Sequence, residues 1–272
     1  MSAQANADQP LVSVIDTVRG IPIHARVSVP AIADASMPLV FVHGLGVSVR
    51  YMEPTMSRLG RAHHVAGLDL PGFGRSGNPP HVLDLEELST ALADWLDVRR
   101  IGPAIFVGNS YGCQVIVDLV FREPSRAIGL VLNAPTMDPV RRSLFGVGIR
   151  VLADVAFEPW ALAAVVGRDY LRAGPRRIFT TLQYALDDQI EAKLAHLVAP
   201  TVVVAGARDP VVSVEWAREA ARLVGISTRS APGATLHVLP NGAHALPFDD
   251  AANFATLIDA FVERVRASRQ PR

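Results

Sequence analysis

Ala104-Ile105-Phe106-Val107-Gly108-Asn109-Ser110-Tyr111-Gly112 is the stretch on which the reading of this chain turns. A short apolar run enters a G-x-S-x-G pattern, and a segment with helical spacing, Tyr111 to Phe121, leaves it. That order predicts a buried strand, a sharp turn and a helix. Such a turn pushes the Ser110 hydroxyl out above the edge of a sheet. Glycine at 108 and 112 removes side chains that would clash in so tight a bend. The helix start also offers backbone N–H groups and a partial positive charge to a developing oxyanion. Ser110 is therefore read as a nucleophile rather than as part of an ordinary glycine turn.

A serine hydroxyl is a weak nucleophile at neutral pH and needs a base. His244, in Asn241-Gly242-Ala243-His244, lies in a loop between the last predicted strand and the last predicted helix. That is where open α/β sheets place their chemistry. The other histidines compete poorly: His24 and His237 fall within predicted strands, His63 and His64 precede one, and His81 and His196 have no partner motif. The base needs an acid to fix its tautomer. Asp209, in Gly206-Ala207-Arg208-Asp209-Pro210 after the strand Thr201 to Ala205, is the first choice, with Asp138 as its rival. An oxyanion hole should draw one N–H from Tyr111. The other should come from His43-Gly44-Leu45-Gly46, with Leu45 preferred over Gly44.

Outward from the serine, apolar runs alternate with helical stretches. Strands are expected at Leu11 to Val18, Ile21 to Val29, Pro38 to Val42, Val65 to Leu70, Ala127 to Leu132 and Leu236 to Leu239. Helices are expected at Leu83 to Val98, Ser213 to Leu223 and Asp249 to Arg266. The first two strands, joined by Arg19-Gly20, read as a hairpin. The rest imply parallel strands buried on both faces. Residues 137–195 are mostly helical and fall between two strands, which reads as an insertion above the sheet. The expected organisation is a core of residues 1–136 and 196–272, with a helical cap at 137–195.

Composition narrows the function classes. Half of the 272 residues are hydrophobic and only 19% are charged, enough for a large core. Lys plus Arg and Asp plus Glu number 26 each, so net charge gives no sign of a nucleic-acid partner. The single cysteine, Cys113, excludes an intrachain disulfide framework and any cysteine-based zinc site. The start of the chain has no secretory pattern, and no apolar run approaches the roughly 18 residues of a spanning helix. A cytoplasmic protein is expected, with a small-molecule substrate, no metal and no organic cofactor.

With these residues in place, the sequence resembles the α/β-hydrolase fold superfamily over nearly its whole length. His43–Gly46 matches the family's oxyanion segment, and Asp69-Leu70-Pro71-Gly72-Phe73-Gly74-Arg75-Ser76 looks like its D-x-P-G-x-G-x-S turn. The order Ser110, Asp209, His244 is the one expected there. The resemblance implies a mostly parallel sheet flanked by helices, with an inserted cap over the pocket. It also implies a serine hydrolase acting on an ester, thioester or lactone. Asn109 is similar to the residue beside the serine in hydrolases of ring-fission products, though the tryptophan usual after their histidine is replaced by Ala245-Leu246-Pro247-Phe248. A carbon–carbon bond hydrolase, an acyltransferase or a cofactor-free peroxidase is the alternative on this scaffold, and a non-catalytic ligand-binding member a further one. Haloalkane dehalogenases and epoxide hydrolases carry Asp where this chain has Ser110.

Two features invite other readings. Gly72-Phe73-Gly74-Arg75-Ser76-Gly77 fits a dinucleotide fingerprint, but Asn78-Pro79-Pro80 follows where a helix should open. Arg168, Arg172, Arg176 and Arg177 form a basic group that reads first as a solvated helix face. Phe145, Phe157, Trp160 and Tyr170 are candidates for pocket lining or for packing within the insertion.

Overall fold

The computed structural model describes residues 11–29, 34–139, 142–143, 160–228 and 233–269. Eight strands form one sheet: β1 (Leu11–Val18), β2 (Ile21–Ser28), β3 (Asp34–Val42), β4 (His63–Leu68), β5 (Ala104–Asn109), β6 (Ala127–Asn133), β7 (Thr201–Gly206) and β8 (Ala234–Leu239). Their spatial order is β1-β2-β4-β3-β5-β6-β7-β8. β1 and β2 form the antiparallel hairpin, and β2 meets β4 antiparallel. Every pairing from β4 through β3 to β8 is parallel.

The parallel strands are apolar on both faces because both faces are covered. Val40 and Val42 of β3 enter one core with Leu92 and Trp95 of α2 (Leu85–Arg99) and Ile116 of α3 (Tyr111–Arg122). Leu39 and Phe41, half a pleat away, enter a second core with Met56 of α1 (Glu53–Leu59) and Ile258 of the C-terminal helix. This period of two, apolar on both sides, is what a central parallel strand requires. Helix starts obey their local chemistry. Asp84 accepts from Glu87 N–H at 2.9 Å while the Glu87 side chain accepts from Asp84 N–H at 2.9 Å, a reciprocal cap on α2. Ser213 accepts from Trp216 N–H and caps α7 (Val214–Leu223).

The chain runs from β3 to β4 on one side and later to β5 on the other, so strand order reverses at β3. The crevice beyond the carboxyl ends of β3 and β5 is the place such sheets offer a ligand. Between β6 and β7 the described residues form only helices: α4 (Trp160–Ala173), α5 (Pro175–Asp187) and α6 (Ile190–Leu194). Phe145 and Phe157 lie outside the described residues. Trp160 is exposed.

The structure corrects three details. His63 and His64 lie in β4 rather than before it. β3 starts at Asp34, ahead of the expected Pro38, with its register against β4 shifting between Asp34 and Leu39. The last helix is divided into α8 (Leu246–Asp249) and α9 (Ala251–Arg269), because Asp250 leaves the helical region at φ −130° and ψ 43°.

Candidate active site

Ser110 occupies the single-residue turn between β5 and α3 with φ 57° and ψ −123°, a backbone that side-chain-bearing residues rarely adopt. Its N–H donates to Asn133 O at 2.9 Å, and its carbonyl accepts from Cys113 N–H at 2.9 Å, so the bend is held on both sides. The flanking glycines are obligatory on steric grounds. A Cβ at Gly112 would collide with the carbonyl oxygens of Val42 and His43, and one at Gly108 would press on Ile116 and the Cys113 backbone. Ser110 itself is half-buried and open to a reactant.

On the far side of β6, two loops bring the proposed base and acid together. His244 Nδ1 lies 2.9 Å from Asp209 Oδ2. The Asp209 side chain is fully buried, whereas that of His244 keeps 15% exposure. Asp209 Oδ1 accepts from Val211 N–H at 2.7 Å and Val212 N–H at 2.9 Å, which leaves Oδ2 for the imidazole. The loops touch at Gly206, where a Cβ would strike the carbonyls of Gly242 and Ala243. Arg208 N–H donates to Gly242 O at 3.0 Å across the same junction. The amides of Asn109 and Asn133 both point at His244 O, at 3.4 and 3.5 Å. They tether the histidine loop to the strand ends beside Ser110. In the sequence Asn109 stands out only for its place next to the serine, and no motif marks Asn133. The two are register partners across β5 and β6, which no local pattern reveals.

The loop after β3 reaches the same place. An ideal Cβ on Gly44 would sit 3.4 Å from Ser110 Cβ. Gly44 N–H is already engaged by the Tyr51 hydroxyl at 3.1 Å. That favours Leu45, half-buried and next in the chain, as the oxyanion donor of this loop. Tyr111 N–H follows Ser110 at the first turn of α3. The Tyr111 phenol is buried, and burial raises its pKa far beyond the usual range, so it stays neutral.

His43 is a structural member of the loop. It is wholly buried, and burial holds its pKa low against the carboxylate field of Asp69. Leu70 N–H donates to its Nε2 at 2.9 Å, so Nδ1 carries the proton and donates to Gly44 O at 2.7 Å. Asp69 organises the turn that follows β4. Its carboxylate accepts from Val49 N–H, Arg75 N–H and His24 Nδ1, each at 2.8 Å. Burial would raise its pKa, but these bonds outweigh that and hold it below the usual range. The glycine-rich run at 72–77 is thus a folded turn around a carboxylate.

The match to the model of the alpha/beta hydrolase family covers residues 39–257. The chain belongs to this family. A protein of Variovorax paradoxus (strain S110), provisionally named the carbamate hydrolase RutD, is 29% identical over 92% of this chain and 100% of its own length. The 2-hydroxymuconate semialdehyde hydrolase of Pseudomonas sp. (strain CF600) is 26% identical over 87% of this chain and 90% of its own. Two further curated relatives match more locally, and the chain covers 26% and 38% of their lengths. The crystal structure of the enol-lactonase from Burkholderia xenovorans LB400 superposes with a TM-score of 0.75 over 92% of this chain and 100% of that one, at 19% identity. This member of the alpha/beta hydrolases is built on a mostly parallel, helix-flanked sheet. Among its described residues no helix is long and apolar enough to cross a membrane, and no cluster of potential metal ligands occurs.

Proposed function

We propose that the protein is a serine hydrolase that cleaves a carboxylic ester, thioester or lactone through an acyl-enzyme. The observation that carries this reading is the Asp209–His244 hydrogen bond, formed at the strand ends beside a serine in a strained turn. Ser110 Oγ attacks the carbonyl carbon while His244 Nε2 takes its proton. Asp209 holds Nδ1–H and stabilises the imidazolium. The N–H groups of Tyr111 and Leu45 receive the oxyanion, each such donor contributing about 3 kcal/mol to lowering the barrier. Collapse expels the alcohol, thiol or internal hydroxyl with the proton from His244. Water then repeats the sequence and frees the acid. None of these steps calls on a metal or organic cofactor. Residues 137–195 act as the cap that roofs the site, and the substrate is a small acyl compound of largely apolar character.

A carbon–carbon bond hydrolase is the second reading. Asn109 beside Ser110 favours it, as does the similarity to a semialdehyde hydrolase. Both readings share the nucleophile and differ in the bond cleaved. The test is labelling by a fluorophosphonate with mass mapping of the adduct, paired with a panel of p-nitrophenyl esters, lactones and a ring-fission diketone. Ser110→Ala should lose the adduct and at least about 10³-fold in kcat. Equal turnover by wild type and variant overturns the assignment. A diketone consumed far faster than any ester selects the second reading.

A further inference from the structure

A polar cleft of about 570 Å³ opens between the β1–β2 hairpin, the turn after β4 and helix α4 of the insertion. Five arginines line it against three acids. They arrive from separate elements: Arg26 from β2, Arg50 from the turn after the oxyanion loop, Arg75 from the Asp69 turn, and Arg168 and Arg172 from α4. The last two stand one helical turn apart, so they share a face. In the sequence they look like a solvated surface, but in the fold that face lines the cleft.

The acids are already committed. Glu53 is paired with Arg26 at 3.0 Å. Asp69 is spent on His24 and two backbone N–H groups. Asp169 accepts from the Ser48 hydroxyl at 2.5 Å, and burial raises its pKa. Arg50, Arg75, Arg168 and Arg172 form no ion pair with a carboxylate among the described residues.

A hydroxyl is fixed in the same cleft. Asp69 Oδ2 is 2.8 Å from His24 Nδ1, and His24 Nε2 is 2.7 Å from Ser13 Oγ. Arg75 Nη1 and Arg26 Nη1 approach the same oxygen at 3.2 and 3.4 Å. Ser13 is exposed at the mouth of the cleft, while His24 and Asp69 are buried behind it. A solvated basic surface has no need of a buried relay that orders one serine among arginines.

We propose that this cleft binds the phosphoryl group of a phosphorylated small molecule, clamping α4 onto the core. The chemistry favours phosphoryl over carboxylate. A phosphate monoester presents three outward oxygens and up to two charges, which guanidinium forks from several directions can share. A lone carboxylate has two oxygens in one plane. The volume exceeds what one phosphate ion fills, which leaves room for the organic part. Ser48 and Arg50 also line the cleft and follow directly on the oxyanion loop, so its occupancy bears on that loop from behind.

Isothermal titration of the full chain with glucose 6-phosphate, glucose and inorganic phosphate at fixed ionic strength tests the proposal, and its readout does not depend on the role of Ser110. The sugar phosphate should bind saturably at one site, glucose should not bind, and inorganic phosphate should compete more weakly. Arg168→Ala/Arg172→Ala alters only exposed side chains, and circular dichroism will verify its fold. It should weaken binding by at least about tenfold, as should Ser13→Ala combined with Arg75→Ala. Arg168→Lys/Arg172→Lys should keep part of the affinity that the alanine pair loses. Absence of saturable binding to wild type overturns the proposal, as does full affinity in both variants. Inorganic phosphate binding as tightly as the sugar phosphate reduces the cleft to an ion site and overturns the small-molecule assignment.

Discussion

Ser48 Oγ donates to Asp169 Oδ2 at 2.5 Å, joining the end of the oxyanion loop to helix α4 across 121 residues of sequence. Near it, a Cβ on Gly46 would collide with the Tyr170 ring, and Gly46 has φ +79°. Two independent contacts therefore seat α4 against the loop that supplies the candidate oxyanion donor. Asp169 and Asp69 share this region but respond to acid in opposite ways.

The Asp69 pKa is lowered, because the hydrogen bonds to its carboxylate outweigh burial. Its contribution is present above the ordinary carboxylate range and is lost as pH falls through the lowered folded value. The Asp169 pKa is raised by burial. Its contribution is complete below the ordinary range and is lost as pH rises through the raised value. Melting temperatures followed between about pH 3 and pH 7 should separate the two. Asp169→Asn should remove the loss on the neutral side, and Asp69→Asn the loss on the acid side. Asp69→Ala should also cost about 3 kcal/mol at neutral pH, because His24 and two backbone donors lose their acceptor. A neutral-side loss that persists in Asp169→Asn contradicts the first assignment.

Asp209→Asn should leave substrate affinity nearly intact and lower kcat by about 10⁴-fold at neutral pH. The amide cannot hold the imidazole in the tautomer that leaves Nε2 free. Steady-state kinetics give the split: a change confined to KM would show that Asp209 shapes the pocket and not the base.

Ser110→Gly should stabilise the fold by about 1 kcal/mol while abolishing turnover. Glycine adopts φ 57° without the penalty a side chain carries there. Chemical denaturation of this variant beside Ser110→Ala, which keeps the strain, isolates the backbone effect. Equal stability in the two variants would show that the turn stores no strain.

Tyr51→Phe removes the hydroxyl that accepts from Gly44 N–H. The loop should lose about 1 kcal/mol of ordering, and kcat should fall by about fivefold with KM little changed. Unaltered kcat at reduced thermal stability would place Tyr51 in the fold alone.

Much of this was legible in the chain itself. Alternating apolar runs and helical stretches dictated the strand list, because a central parallel strand must be apolar on both faces. The sequence Gly108 to Gly112 dictated the turn, because only glycine leaves room for the Val42 and His43 carbonyls beside residue 112. Asp209 and His244 stand out as candidates by their places after successive strands. What sequence could not supply was the distance between them, or a physical reason to prefer Leu45 to Gly44. Both rest on contacts between segments far apart along the chain: the 2.9 Å bond between residues 209 and 244, and the occupation of Gly44 N–H by Tyr51. Local periodicity records which face of an element is buried, whereas only tertiary packing records what that face meets. For the same reason Arg168 and Arg172 read as a solvent face until the fold set them opposite Ser13.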